Sequence, residues 1–313
     1  MWRILLAAGV ALLVVAVALA LALHGSPKRA TATVTVTIPA HPTTTVATVT
    51  TAPTTTAAPP PTVPMSWGSA GAMVVHAADV DPAWLGQQMR AAGFGWLAVY
   101  LGGPNDGPRV DADWIARFRA ASGLPVGGWS VLGDNPAADA ASAVGLIAQD
   151  RLSFYIADAE APYGYTLAST QSGARLARSA AFVSAFRKAE PSLPAAVSSY
   201  CRPDEHDLDW SAWSSAGFDF LPQAYVNDFG ASAAPAACVS GAAKWFPASH
   251  VHPTVGSYSG TRGIVAPARY AQLLAQAGTT GFSIYPAEAG MSEQDWQAYG
   301  RAIASLRLAE KPS

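Results

Sequence analysis

From residue 65 onward, short apolar runs alternate with amphipathic stretches, and the alternation is regular enough to predict a fold class. Runs rich in β-branched and aromatic residues predict strands over 72–76, 96–101, 125–132, 152–160, 194–200, 218–225, 251–258 and 281–285. Helices are predicted between and after them, over 81–92, 111–121, 136–149, 169–189, 209–216, 236–245, 267–277 and 292–306. Two of these carry their own punctuation: Asp81-Pro82 opens the first helix and Gly93 closes it, and the second stops before Gly123. Eight strand–helix pairs in about 250 residues predict an α/β protein of the (β/α)8 TIM-barrel type. An open doubly wound sheet would want a glycine-rich phosphate turn after its first strand, and the stretch from His76 to Asp81 offers none.

Upstream of residue 65 the pattern changes twice. Residues 4–23 are unbroken apolar sequence, preceded by Arg3 and followed by His24, Lys28 and Arg29. About 20 such residues suffice to cross a ~30 Å hydrocarbon core and exceed the ~7–15 of a signal-peptide apolar region. Residues 1–30 are therefore expected to be a transmembrane anchor, while the small residues around Ala20-Leu21-Ala22 leave open a cleaved signal segment. Residues 31–64 consist mostly of Thr, Pro, Ala and Val with no acidic residue, a composition that cannot bury a core and predicts a disordered stalk. The expected organisation is anchor (1–30), linker (31–64) and barrel (65–313), with the barrel outside the cytoplasm, or secreted if the anchor is cleaved. Cys201 and Cys238 are the two cysteines; one disulfide would suit an oxidising exterior, but their spacing does not establish that they meet. With 13% charged residues and a net charge of −2, the chain lacks the basic stripe of a nucleic-acid binder.

The fourth strand carries the sharpest chemical signal. Its sequence, Leu152-Ser153-Phe154-Tyr155-Ile156-Ala157-Asp158-Ala159-Glu160, ends an apolar run in two carboxylates. Alternation puts Phe154, Ile156, Asp158 and Glu160 on one side, with the two acids roughly 6.5–7 Å apart along the strand. Burying ionised groups is costly unless they are paired or used. Active sites of such barrels lie at the C-terminal strand ends. Those ends hold His76, Asp79, Tyr100, Trp129, Asp158, Glu160, Tyr200, Gln223, Tyr225, Tyr258, Tyr285 and Glu288. Aromatic faces stack on sugar rings and carboxylates bond their hydroxyls, so the lining suits a polysaccharide partner. Glycoside hydrolysis needs a protonated carboxyl and a second group to handle the oxocarbenium-like carbon. Burial and mutual repulsion should keep a proton on the pair. Glu160 is then the acid/base, with Asp158 orienting a nucleophile supplied by the substrate's own N-acetyl group. The structural alternative is an acidic pair that holds a loop, such as that of Arg202.

Asp158-Ala159-Glu160 closing the fourth barrel strand resembles the Asp-x-Glu of family 25 lysozymes (muramidases) and, more distantly, of family 18 chitinases. The sixth strand, Phe218-Asp219-Phe220-Leu221-Pro222-Gln223-Ala224-Tyr225, is similar to theirs as well. The resemblance implies cleavage of glycans rich in N-acetylhexosamine, such as peptidoglycan, with Glu160 as proton donor, Asp158 as its partner and Tyr225 on the N-acetyl carbonyl. Two departures mark a divergent domain. Ser153 and Ile156 stand where chitinases carry further aspartates, and His76 stands where muramidases carry one. A non-catalytic glycan-binding or scaffolding barrel is accordingly the alternative. No cofactor is expected, and the protein is expected to act as a monomer.

Other constellations point to structure. His250 and His252 precede the seventh strand, at the stability face, so no metal site is expected there. Asp204, Glu205, His206, Asp207 and Asp209 form an acidic loop that reads as a solvated rim, with Asp209 as a helix cap. Ser198 and Ser199 lack the turn of a serine hydrolase. Trp210 and Trp213 are helix-spaced and read as packing.

Overall fold

The computed structural model describes residues 62–103, 109–160, 172–203, 208–279, 281–287 and 291–309. The apolar run 4–23, the linker as far as residue 61, Glu288 and the acidic-loop residues Asp204 to Asp207 lie outside them. Among the described residues, no helix is long and apolar enough to cross a membrane.

Eight parallel strands close into a barrel in chain order. They are β1 (Ala70–Val74), β2 (Trp96–Gly102), β3 (Val126–Val131), β4 (Tyr155–Asp158), β5 (Ala195–Tyr200), β6 (Asp219–Ala224), β7 (Thr254–Gly256) and β8 (Phe282–Tyr285). Closure is through β8 on β1, with Ala70 opposite Phe282 and Ala72 opposite Ile284. The main helices are α1 (Pro82–Ala91), α2 (Ala112–Ser122), α3 (Pro136–Asp150), α4 (Ser172–Ala189), α5 (Trp210–Ser215), α6 (Pro235–Ala242), α7 (Pro267–Gln276) and α8 (Glu293–Ala309). The alternation of the sequence is thus that of a (β/α)8 barrel.

Helix ends follow local chemistry. The Asp81 and Asp111 side chains accept from the backbone N–H groups of Trp84 and Trp114, each at 2.8 Å, satisfying donors that have no intrahelical partner. Asp209 caps α5 by accepting from Ala212 N, and Trp210 and Trp213 are buried in the core as packing. Gly123 closes α2 in the left-handed region at φ 69°.

Several boundaries differ from the sequence pattern, most by a residue or so and a few by more. β1 runs two residues earlier than expected. β4 is shorter than 152–160 because Arg151, at φ 52°, is still closing α3, and Leu152 N bonds back to Ile147 O. β7 keeps three residues of the expected 251–258: Pro253 has no N–H to give to a ladder, and Val251 makes only an isolated bridge to Phe220. After β6, a helical turn (Val226–Phe229) and a 3₁₀ turn (Gly230–Ala233) precede α6.

Two packed layers result. Met73, Trp96, Ala98, Tyr100, Trp129, Phe154, Ile156, Ala196 and Leu221 fill the barrel interior. Tyr155, Ala157, Val197 and Phe220 face the helices instead. The floor is an aromatic plug in which Trp67, Trp96 and Phe154 meet edge to face at 5.3–5.4 Å. Two glycines make room for it: a Cβ on Gly71 would lie 2.0 Å from the Trp96 ring, and one on Gly127 would lie 2.3 Å from Phe154. Val63, two residues before the expected boundary, already donates from its backbone N–H to Gly123 O at 2.9 Å. Cys201 and Cys238 are joined in a disulfide that ties the end of β5 to α6.

Candidate active site

Phe154 and Ile156 lie in the barrel interior, and the period-two alternation of β4 carries Asp158 inward above them. The neighbouring strands supply its partners. Register puts Ser198 of β5 beside Asp158, and the Ser198 hydroxyl bonds its carboxylate. Gln223, inward-facing on β6, donates from Nε2 to Asp158 Oδ1 at 3.2 Å and to Glu160 Oε1 at 2.5 Å. One amide therefore bridges both acids, and those two oxygens can be no more than about 5.7 Å apart. Glu160 lies just past the strand and is half-buried, yet it turns to the same partner as Asp158.

The electrostatics are those of a crowded pair. Burial, followed by the adjacent Glu160 charge, pushes the Asp158 carboxyl well above the usual range, against the opposing bonds from Ser198 and Gln223. Tyr225 follows β6 and is 9% exposed. Burial and then the Asp158 charge hold its phenol protonated, well above its ordinary value.

An arc of rings continues from Tyr225 around the mouth. Tyr225 stacks on Tyr285 at 6.0 Å and meets Tyr258 edge-on at 5.9 Å. Tyr285 meets Trp129 edge-on at 5.6 Å, and Trp129 lies 4.7 Å from Tyr100. The structure thus brings Asp158, Glu160, Gln223, Tyr225, Tyr258, Tyr285, Trp129 and Tyr100 into one connected set.

Members of that set differ in how open they are. Tyr100 and Trp129 are 2% and 3% exposed, and the Trp129 indole N–H donates to Val74 O at 3.0 Å, so they form the floor of the mouth. Tyr258 donates its hydroxyl to Asp228 Oδ2 and presents its ring to Tyr225. Tyr200 ends β5 opposite Gln223 and contacts Phe229 edge-on at 5.3 Å. His76 and Asp79 are exposed around the short turn that follows β1.

Sequence reasoning missed the brace behind the arc. Asn227 is wholly buried; it accepts from the Tyr270 hydroxyl at 3.0 Å and donates to Tyr258 O at 3.2 Å. Asp228 accepts from Tyr258 and from Thr261 N, and these bonds hold its carboxyl below the usual range. The brace thus fixes the β6 and β7 loops to each other. Its partners stand some 30 residues apart, and no local pattern announces them. Ser198 was legible in principle, since inward parity on β5 selects it. At the opposite end of the barrel, His250 and His252 both meet Asp219. Among the described residues, no cluster could hold a metal ion.

No protein-family model matches the chain, and no curated protein matches it either. Solved structures do. The chain is similar to a class V chitinase from Nicotiana tobaccum at TM-score 0.56 and 8% identity, over 76% of this chain and 99% of that one. It is similar to the catalytic domain of a hyperthermophilic chitinase from Pyrococcus furiosus at TM-score 0.54 and 10% identity, over 82% and 99%. An L-ribulose 3-epimerase is also similar, at TM-score 0.50 and 13% identity over 77% and 95%. At such identities the likeness establishes the barrel and carries no chemistry with it.

Proposed function

We propose that this chain is a glycoside hydrolase-like barrel acting on an N-acetylhexosamine-containing polysaccharide such as peptidoglycan. The observation that carries the reading is the bridged acid pair: two carboxylates at the C-terminal mouth, one deeply buried, sharing the Gln223 amide. A second support is analogy of fold, since the similar barrels include two chitinases and a sugar epimerase. The anchor and stalk expected from residues 1–64 would hold such a barrel at the cell envelope, and a disulfide suits that compartment.

In this reading the pair holds a proton that Glu160, the more open acid, delivers to the glycosidic oxygen as the C–O bond breaks. The substrate's N-acetyl carbonyl oxygen bonds to the anomeric carbon, Asp158 holds the amide N–H, and the Tyr225 hydroxyl donates to the carbonyl. Water then opens the cyclic intermediate, and Glu160 takes its proton. Two displacements at one carbon return its original configuration.

Glu160→Gln should lower turnover of wall or chitin substrates by about 10²–10⁴-fold, with the melting temperature unchanged. Product anomers followed by NMR should be retained. If the wild-type chain cleaves neither substrate between about pH 4 and 8, the enzymatic reading fails.

A non-catalytic glycan-binding barrel is the second reading. It is favoured by Ser153 and Ile156, where acids would extend the chitinase pattern, and by the closely packed floor under the mouth. Binding of wall fragments that survives Glu160→Gln but weakens in Tyr225→Ala, with no turnover by the wild type, would select it.

A further inference from the structure

Among the described residues, three large apolar side chains are exposed: Leu176, Phe229 and Ile264. Phe229 is the aromatic one, and its place is not incidental. It ends the helical turn that follows Tyr225, on the mouth side of the barrel. At 38% exposed, its ring meets Tyr200 edge-on at 5.3 Å, so the two rings form an L-shaped step.

Strand register locates that step relative to the acid pair. Asp158 lies beside Ser198, and Ala159 N still donates to Ser198 O at 2.8 Å, so the β4–β5 pairing persists to the strand's end. Tyr200 is two residues beyond Ser198, and Glu160 is two residues beyond Asp158. Both therefore rise one side-chain step above the buried pair, on adjacent strands about 4.8 Å apart. The step borders Glu160 on the β5–β6 side, where Tyr200 also stands opposite Gln223.

The step is also held in place. Cys201, the residue after Tyr200, is bonded to Cys238 of α6, and both are fully buried. Ser232 Oγ donates to Phe229 O at 2.9 Å within the same segment. The disulfide thus ties the strand end that carries Tyr200 to α6, and Cys201 Sγ also lies 3.5 Å from Ser232 O, three residues past Phe229. A flexible loop would lose ordering entropy on gripping a ligand; two rings on backbone already held in this way lose less.

We infer that Tyr200 and Phe229 form a stacking platform for a pyranose ring one unit away from the sugar held at Asp158 and Glu160. The glycan then runs across the mouth toward β5 and β6, and the preferred ligand is a polymer longer than a disaccharide. This rests on the glycan reading above and adds to it the direction of the chain and a length requirement.

The test uses the full-length chain in mild detergent, with the dimer and the hexamer of β-1,4-linked N-acetylglucosamine as probes in calorimetric titrations. Glu160→Gln serves as the background, so that neither probe is cleaved. The hexamer should bind more tightly than the dimer. Adding Phe229→Ala should remove about tenfold of hexamer affinity, with dimer affinity and melting temperature unmoved, and Phe229→Trp should restore it. Equal hexamer affinity with and without Phe229→Ala overturns the platform and leaves the glycan reading standing, as does a background protein that binds both probes alike. Binding of neither probe, by the background or the wild type, overturns the platform, and the glycan reading falls with it if wall fragments are not bound either.

Discussion

The two ends of this barrel solve opposite problems with similar residues. At the N-terminal end, Asp219 sits between two imidazoles, and the aromatic rings are Trp67, Trp96 and Phe154, locked edge to face. At the C-terminal end, Asp158 sits beside a second carboxylate, and the rings of the arc are mostly tyrosines with hydroxyls. One end gives its carboxylate two imidazole partners. The other keeps a carboxyl where burial and a like charge oppose its ionisation. In the proposed reading, that difference separates a stabilising floor from a mouth that handles glycan.

The largest effect should come from the floor. Trp96 is fully buried against Trp67, Phe154 and the bare backbone of Gly71, so Trp96→Ala opens a cavity that rigid strands cannot close. A cost of about 3–5 kcal/mol is expected, a fall in melting temperature on the order of 10 °C. Glycan binding measured well below that temperature should be unaffected. If binding falls while the barrel is still folded, the floor is part of the site and the division is wrong.

The floor and the mouth were also unequally legible in the sequence. Strand alternation and helix caps are local, so Asp81 and Asp209 announced their roles and β4 announced the inward face of Asp158. What the sequence could not carry was partnership across the barrel. Gln223 stood at a strand end, but the bridge it makes reaches back 63 and 65 residues, and only closure of the sheet brings it there. The same holds for Cys201 with Cys238, for Asn227 with Tyr258 and Tyr270, and for the Tyr200–Phe229 step. Local errors had local causes. Pro253 and Arg151 trimmed strands that apolar composition alone would have lengthened.

A smaller effect is expected at the opposite acid. Asp219 Oδ1 lies 3.0 Å from His250 Nδ1 and 3.2 Å from His252 Nε2. His252 is 6% exposed and depends on this acceptor, whereas His250 reaches water. Asp219→Asn should therefore cost about 1–2 kcal/mol in urea unfolding, nearly all of it through His252. His250→Ala should cost far less. Turnover and glycan affinity should stay at wild-type levels in both. A loss of turnover without a loss of stability would place chemistry at the wrong end of the barrel.

The smallest shift, and the one with the opposite sign, belongs to Asp158. Its folded carboxyl titrates above the unfolded one because burial, and then Glu160, disfavour the charge. Folding therefore takes up a proton between the two values, and the native state is favoured when that proton is present. The contribution of Asp158 to stability is greatest below the unfolded value near pH 4, and it declines as pH rises from there through the folded value. Asp158→Asn removes the titrating group while keeping an acceptor for Ser198. The variant should match or exceed wild-type stability at pH 7, by about 1 kcal/mol, although it loses catalysis. Its stability should also fall less between pH 4 and 7 than that of the wild type. Unfolding free energies measured across this range decide the matter. A variant destabilised at pH 7 to the degree of Asp219→Asn would mean that Asp158 is held by its surroundings as Asp219 is, and the contrast between the two ends would vanish.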